Sequence, residues 1–219
     1  MDNRKGFRRF QLLCMGWVSI AIAPAVLITA TAVHGYPFPQ SISETATMAN
    51  TAAPILPFAL GALALFSLSY AVRYAYDYFW DRVFTLFMFA GFTVVAMFPC
   101  ASPYVEGQGA GVIAVTPEVS GWLHNAGALV GFGAIICWIL ICFRKSDLPK
   151  RARTGQKNRR NVCYSFFGWG MLGAMAVFAS DLLGLFGDGF PVVFAVEVIL
   201  LVFAGAACLL KSGLVLKDD

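Results

Sequence analysis

Two histidines, His34 and His124, are all that the chain contains, and both fall at the ends of long apolar runs. Asp181 and Glu197 stand inside such runs, and Glu44 sits in the polar stretch PQSISETATMAN, residues 39–50, between two of them. Imidazoles and carboxylates brought together can hold a divalent metal, exchange protons as general acid and base, or bind a polar ligand group. A metal site usually needs three protein ligands. The expected set is His34, His124 and Asp181, with Glu44 and Glu197 as further donors, although no HExxH or HxxxH spacing supports it. A ligand-binding set would draw on Ser43, Glu44, His124, Asn125, Asp181 and Glu197.

The elements that must position these residues follow from composition. Of 219 residues, 59% are hydrophobic and 13% charged, with a mean hydropathy of +0.72, against about 25% charged residues in a soluble domain. Several runs approach the length of about 20 residues that a helix needs to cross a bilayer. The chain therefore reads as one all-α domain over residues 1–219, a transmembrane bundle of six helices. The expected spans are 12–33, 53–72, 83–99, 122–143, 162–186 and 190–210. Continuous rather than alternating apolar runs favour helices over barrel strands. The first run follows RKGFRRF and resembles a secretory signal, but it exceeds the roughly 7–15 residues of a signal core, so it is read as a retained helix.

Lys and Arg set the expected orientation. With the N-terminus cytoplasmic, all 16 basic residues fall on the cytoplasmic side, and the outer loops contain none. Both termini are then inside. The basic loop 144–161 suits anionic headgroups, or serves topology alone. It lacks the interleaved aromatics of a nucleic-acid surface, so no nucleic-acid partner is expected. RYAYDYFWDR, between spans two and three, reads as an interfacial aromatic belt. The six cysteines offer neither a disulfide framework nor a paired zinc motif.

Acids within hydrocarbon cost roughly 2.5–3.5 kcal/mol near a span centre and less toward the interface. Asp181 and Glu197 therefore need protonation, a cation, a histidinium partner or hydrogen-bond donors. Helical spacing places Gly127, Ala128 and Gly131 below His124, Gly170, Gly173 and Ala174 on the Asp181 face, and Ala204, Gly205 and Cys208 on that of Glu197. Small-residue faces turn toward neighbouring helices, within one bundle or in an oligomer. Ser41-Ile-Ser-Glu44 has capping-box spacing, so Glu44 either caps a helix, joins the site, or does both.

Pro39 with Ser41-Ile-Ser-Glu44, Phe98-Pro99, and Leu123-His124-Asn125-Ala126-Gly127-Ala128 together resemble the DRAM-like, Frag and Sfk superfamily of six-helix membrane proteins, including bacterial members of unassigned activity. That resemblance implies work on lipid, and a bacterial inner-membrane location. It carries over Ser41, Ser43, Glu44, His124, Asn125 and Gly127, and leaves Asp181 and Glu197 to the physical argument alone.

Three functions compete. A lipid or lipid-linked ligand could be held by a polar pocket in the outer half of the bundle. The same residues could instead form a membrane-embedded lipid hydrolase or transferase, with or without a divalent metal. Asp181 and Glu197 could also serve a proton-coupled transporter, although no internal repeat supports one.

Overall fold

Backbone amides in a hydrocarbon layer have no water to bond, so long apolar runs fold as helices that satisfy their own N–H and C=O groups. The computed structural model describes residues 3–48, 52–73, 79–100, 113, 115–145, 155–182, 184–185 and 191–216. Six helices follow in order: α1 (Asn3–Leu27), α2 (Ile55–Arg73), α3 (Phe79–Met97), α4 (Pro117–Cys137), α5 (Gly155–Leu182) and α6 (Val192–Lys211). A wider π-helical stretch extends α1 through Ile28–Val33 and α4 through Trp138–Phe143. All six helices are long and apolar enough to cross a membrane, and the described residues contain no strand. The protein is an all-helical, multi-pass integral membrane protein.

Three of the boundaries differ from expectation for identifiable reasons. At the basic end, α1 and α5 start at Asn3 and Gly155 rather than 12 and 162, because Lys, Arg and Gln are good helix formers and a helix need not stop at the membrane surface. At the other end α5 stops at Leu182, short of the expected 186. Gly184 adopts φ +72 and donates to the Asp181 carbonyl at 2.8 Å, while Leu185 N–H reaches the Ser180 carbonyl at 3.2 Å. This left-handed glycine cap closes the helix. Asp181 is thus the penultimate residue of α5, rather than about five residues inside a span.

Neighbour order is set by close packing. α1 packs on α2 and α6, α2 on α3, α3 on α4, and α5 on α6, whereas α4 and α5 touch sparsely. Between α3 and α4 the backbones approach so closely that a Cβ on Gly91 would lie 2.4 Å from Gly131 N and 2.7 Å from Gly127 O. Gly16 of α1 and Gly205 of α6 repeat the arrangement, with a Gly205 Cβ meeting Gly16 O at 2.7 Å. The small residues below His124 and Glu197 therefore do face neighbouring helices. On the Asp181 face Ala174 is buried and a Cβ on Gly170 would lie 2.4 Å from the Phe203 ring of α6, whereas Gly173 has nothing within 4 Å.

The basic end is tied by a second polar contact. Trp138, fully buried, donates its indole N–H to Asp81 Oδ1 at 2.5 Å and packs edge-on against buried Tyr70 at 5.1 Å. Arg8 lies over the Tyr70 ring at 5.4 Å. One buried carboxylate thus joins α3 to the extension of α4, and Tyr70 brings in α2 and α1. Phe79 and Trp80 of the expected aromatic belt are exposed, whereas Tyr74, Tyr76 and Tyr78 lie outside the described residues. Half of the basic loop, 146–154, lies outside them too.

Candidate functional site

The site begins with an unfinished helix end. α3 ends at Met97 and Pro99 cannot continue it, so the carbonyls of Phe98 and Pro99, just past its end, have no helical N–H to accept from. Residues Ser120 and His124, four apart on one face of α4, supply the missing donors. The Ser120 hydroxyl donates to the Pro99 carbonyl at 2.7 Å, and His124 Nδ1–H donates to the Phe98 carbonyl at 2.8 Å. The imidazole is thereby fixed in orientation, with Nε2 directed to Ser43 Oγ at 3.1 Å. His124 is 4% exposed and Ser43 8%, so both contacts are made out of water.

Ser43 arrives on a short connection that folds against α6. Gly35, at φ +67, ends the first span, and a 3-10 turn covers Ser43–Thr47. The Gln40 carbonyl accepts from Phe194 N–H at 2.9 Å, satisfying one of the orphan donors at the start of α6. Phe38 packs on Phe194 at 4.8 Å. This docking sets the connection over Glu197, whose Oε2 accepts from Ile42 N–H at 2.5 Å and whose Oε1 accepts from the Ser43 hydroxyl. Glu197 is thus compensated by backbone and hydroxyl donors, with an imidazole one bond further on.

Glu44 has a different role from Ser43. The Ser41 hydroxyl accepts from Glu44 N–H at 3.0 Å, as capping-box spacing predicts, but Glu44 Oε1 bonds Gln40 N–H at 2.6 Å. It pins the connection from beneath and is not among the residues that line the cavity described below. Burial raises its carboxyl above the ordinary 4.5, and the backbone donors of Gln40 and Ser41 partly oppose that rise.

Proton counting restricts the cluster. A carbonyl only accepts, so Nδ1 of His124 carries a proton. For both Nε2···Oγ and Oγ···Oε1 to be hydrogen bonds, the three atoms must hold two protons between them. Either the imidazole is doubly protonated and Glu197 ionised, or the imidazole is neutral and Glu197 protonated. Both arrangements are neutral overall, and they differ only by two protons each moving one step along the chain through Ser43.

A cavity of about 800 Å³ opens beside this cluster. Its polar end is formed by Gln40, Ser41, Ser43, His124, Asn125, Cys100 and Glu197, and its body by apolar side chains from α2 to α6, among them Leu60, Phe92, Phe132, Met175 and Leu200. Trp122, Leu129 and Leu172 line it yet are 78%, 61% and 44% exposed. The cavity therefore opens sideways, through the sparse contact between α4 and α5. Burial pushes the Cys100 thiol up to about 12.

The candidate residues divide accordingly. Ser43, His124, Asn125 and Glu197 line one cavity; Asp181, at the end of α5, is not among its lining residues, and neither is Glu44. The expected metal set His34, His124 and Asp181 does not assemble: among the described residues no group of three His, Cys, Asp or Glu could hold a metal. His34 caps the first span with its side chain exposed, and both ring nitrogens of His124 are taken by Phe98 and Ser43. Sequence reading missed Ser120, although its spacing of four from His124 was visible. It also missed Gln40 and the Ile42 N–H, which contribute through the backbone.

Fold and site together define a multi-pass helical membrane protein with a buried serine and histidine and a half-buried glutamate at the head of a lateral apolar cavity. Comparison with protein-family models, with curated proteins and with solved structures finds no match.

Proposed function

We propose that the protein handles a membrane lipid, or a lipid-linked ligand, whose polar group meets Ser43, His124, Asn125 and Glu197 while its acyl chain occupies the cavity. The observation that carries this reading is the shape of the cavity, apolar along the spans, polar at one end and open at the side. An opening at the depth of the hydrocarbon admits lipid without desolvation. Lipid tails are as apolar as the walls, so chain burial supplies little driving force, and selection rests on the polar end. The resemblance to the DRAM-like, Frag and Sfk superfamily supports the same substrate class.

The Lys and Arg distribution supports cytoplasmic termini and a polar end in the outer half of the bilayer. A bacterial inner membrane is the location in keeping with that resemblance. Anionic lipid at the basic loop is a secondary partner on charge grounds. A proton-coupled carrier is less well supported, because its two expected acids lie in different surroundings, Glu197 in the cavity wall and Asp181 outside it.

Native mass spectrometry after mild extraction tests the reading. Wild-type protein should retain a lipid, and His124→Ala, which removes the bond that orients the Ser43 hydroxyl toward the lipid's polar group, should reduce its retention by about tenfold, the scale of one hydrogen bond. Asp181→Asn should leave retention unchanged. A wild-type protein free of lipid, or equal retention in His124→Ala, would end the proposal.

A further inference from the structure

We infer that Ser43 is a nucleophile, and that the site transfers the acyl group of a carboxylic-ester lipid. The inference rests on the lipid-pocket reading above and adds chemistry to it. Three observations carry it. Ser43 lies in the wall of the cavity, at its polar end. It is flanked on both sides by a base, His124 Nε2 at 3.1 Å and Glu197 Oε1. The far nitrogen of the imidazole is held at 2.8 Å by the Phe98 carbonyl, the orienter that fixes the ring as the base of a nucleophile–base–orienter set.

The step balances from either proton arrangement. Ser43 Oγ attacks the ester carbonyl carbon, forming the C–Oγ bond and a tetrahedral oxyanion. Starting from the ion-paired arrangement, the hydroxyl proton goes to Glu197 Oε1; starting from the neutral one, it goes to His124 Nε2. Both routes end in the same state, an imidazolium and a protonated carboxyl on either side of the new ester oxygen. The imidazolium offsets the oxyanion charge in a site shielded from water. Collapse breaks the bond to the lipid alkoxide, which leaves with the Nε2 proton, and the acyl chain remains on Ser43. Water or a lipid hydroxyl then attacks the acyl-serine, gives its proton to Nε2, and releases the chain as an acid or a new ester; Ser43 regains its proton. No oxidant, metal or nucleotide is required.

Glu197→Gln distinguishes the two routes. Its amide N–H can donate to Ser43 Oγ, leaving the hydroxyl proton directed at His124, so the neutral route stays open.

The test is covalent labelling of the full-length protein in mild detergent with alkyl fluorophosphonates of short and long chain. Attack by Ser43 Oγ forms a P–O bond, breaks P–F and releases fluoride, with the proton passing to His124. The expected result is one adduct per chain, mapped to Ser43 in the wild type, formed faster by the long-chain probe. His124→Gln should slow it by about 10²-fold or more, the scale of a general base, and Glu197→Gln should slow it less. Because the adduct is mapped in the wild type, the outcome does not depend on a variant that folds. Absence of an adduct on Ser43, or labelling as fast in His124→Gln as in wild type, overturns the inference. Native mass spectrometry on the same preparation separates the two proposals. Retained lipid with unlabelled Ser43 removes the nucleophile and keeps the lipid pocket; Ser43 labelled equally by both chain lengths, with no retained lipid, removes the pocket and with it the lipid substrate inferred here.

Discussion

His124 Nδ1–H and the Phe98 carbonyl, 2.8 Å apart, make one bond that both finishes α3 and aims the imidazole of α4 at Ser43. Helix capping and site geometry are here the same interaction. The Ser120 bond to the Pro99 carbonyl, 2.7 Å, lies one turn away and shares the load. Ser120→Ala leaves that carbonyl buried and unpaired, at a cost of about 1–3 kcal/mol. A lowered thermal midpoint in detergent, with weaker lipid retention, is the expected result, whereas a midpoint equal to wild type would show that the carbonyl finds another donor.

The contact between α3 and α4 holds that bond in register. Gly91→Ala would drive a Cβ to 2.4 Å from the Gly131 backbone nitrogen, which has no flexible side chain to give way. Overpacking of this kind costs about 1–3 kcal/mol, and displacement of α3 would also pull Phe98 from His124. Gly61→Ala is the control, since nothing lies within 4 Å of a Cβ there, and alanine should be neutral or stabilising by up to about 1 kcal/mol in a helix. Equal thermal midpoints for the two variants would contradict the close approach.

Glu44 makes a pH prediction. Its carboxyl is raised above 4.5 chiefly by burial, so the folded protein keeps a proton that the unfolded chain has already released. The penalty for burying the charge is absent below 4.5 and grows as pH rises through the window above it. Glu44→Gln keeps an acceptor for Gln40 N–H and cannot ionise. Its stability relative to wild type should therefore increase from acid toward neutral pH, measured as paired thermal midpoints. A difference independent of pH would contradict a buried, protonatable Glu44.

Asp81 and Trp138 act far from the cavity. Asp81→Ala strands a fully buried indole N–H, with an expected loss of about 1–3 kcal/mol. Asp81→Asn, which keeps an acceptor oxygen, should recover most of it. Retention of lipid per folded molecule should change in neither variant; a selective loss would connect the two ends of the bundle.

The six spans were legible because hydrocarbon imposes one rule on every residue of a run, and charge placement counts the crossings. His124 and Glu197 were legible as inward-facing because Gly127, Gly131 and Gly205 mark the faces that pack. Asp181 was misjudged because its neighbours, Leu182 to Phe186, continue the apolar run, and only Gly184 signals that the helix has ended. The role of Ser43 depends on Glu197, distant by 154 residues in sequence, and on the Phe98 carbonyl, which any residue would carry. Backbone groups have no letter in the sequence, so a site built half from them is only half readable there.

Crosslinking with a lipid that carries a photoactivatable group in its acyl chain tests the central claim most directly. Chain occupancy of the cavity predicts adducts on inward residues such as Phe92, Phe132, Met175 and Leu200. Adducts confined to outward-facing Phe58, Leu65, Val162 and Trp169 would mean that lipid only surrounds the bundle, and would contradict it.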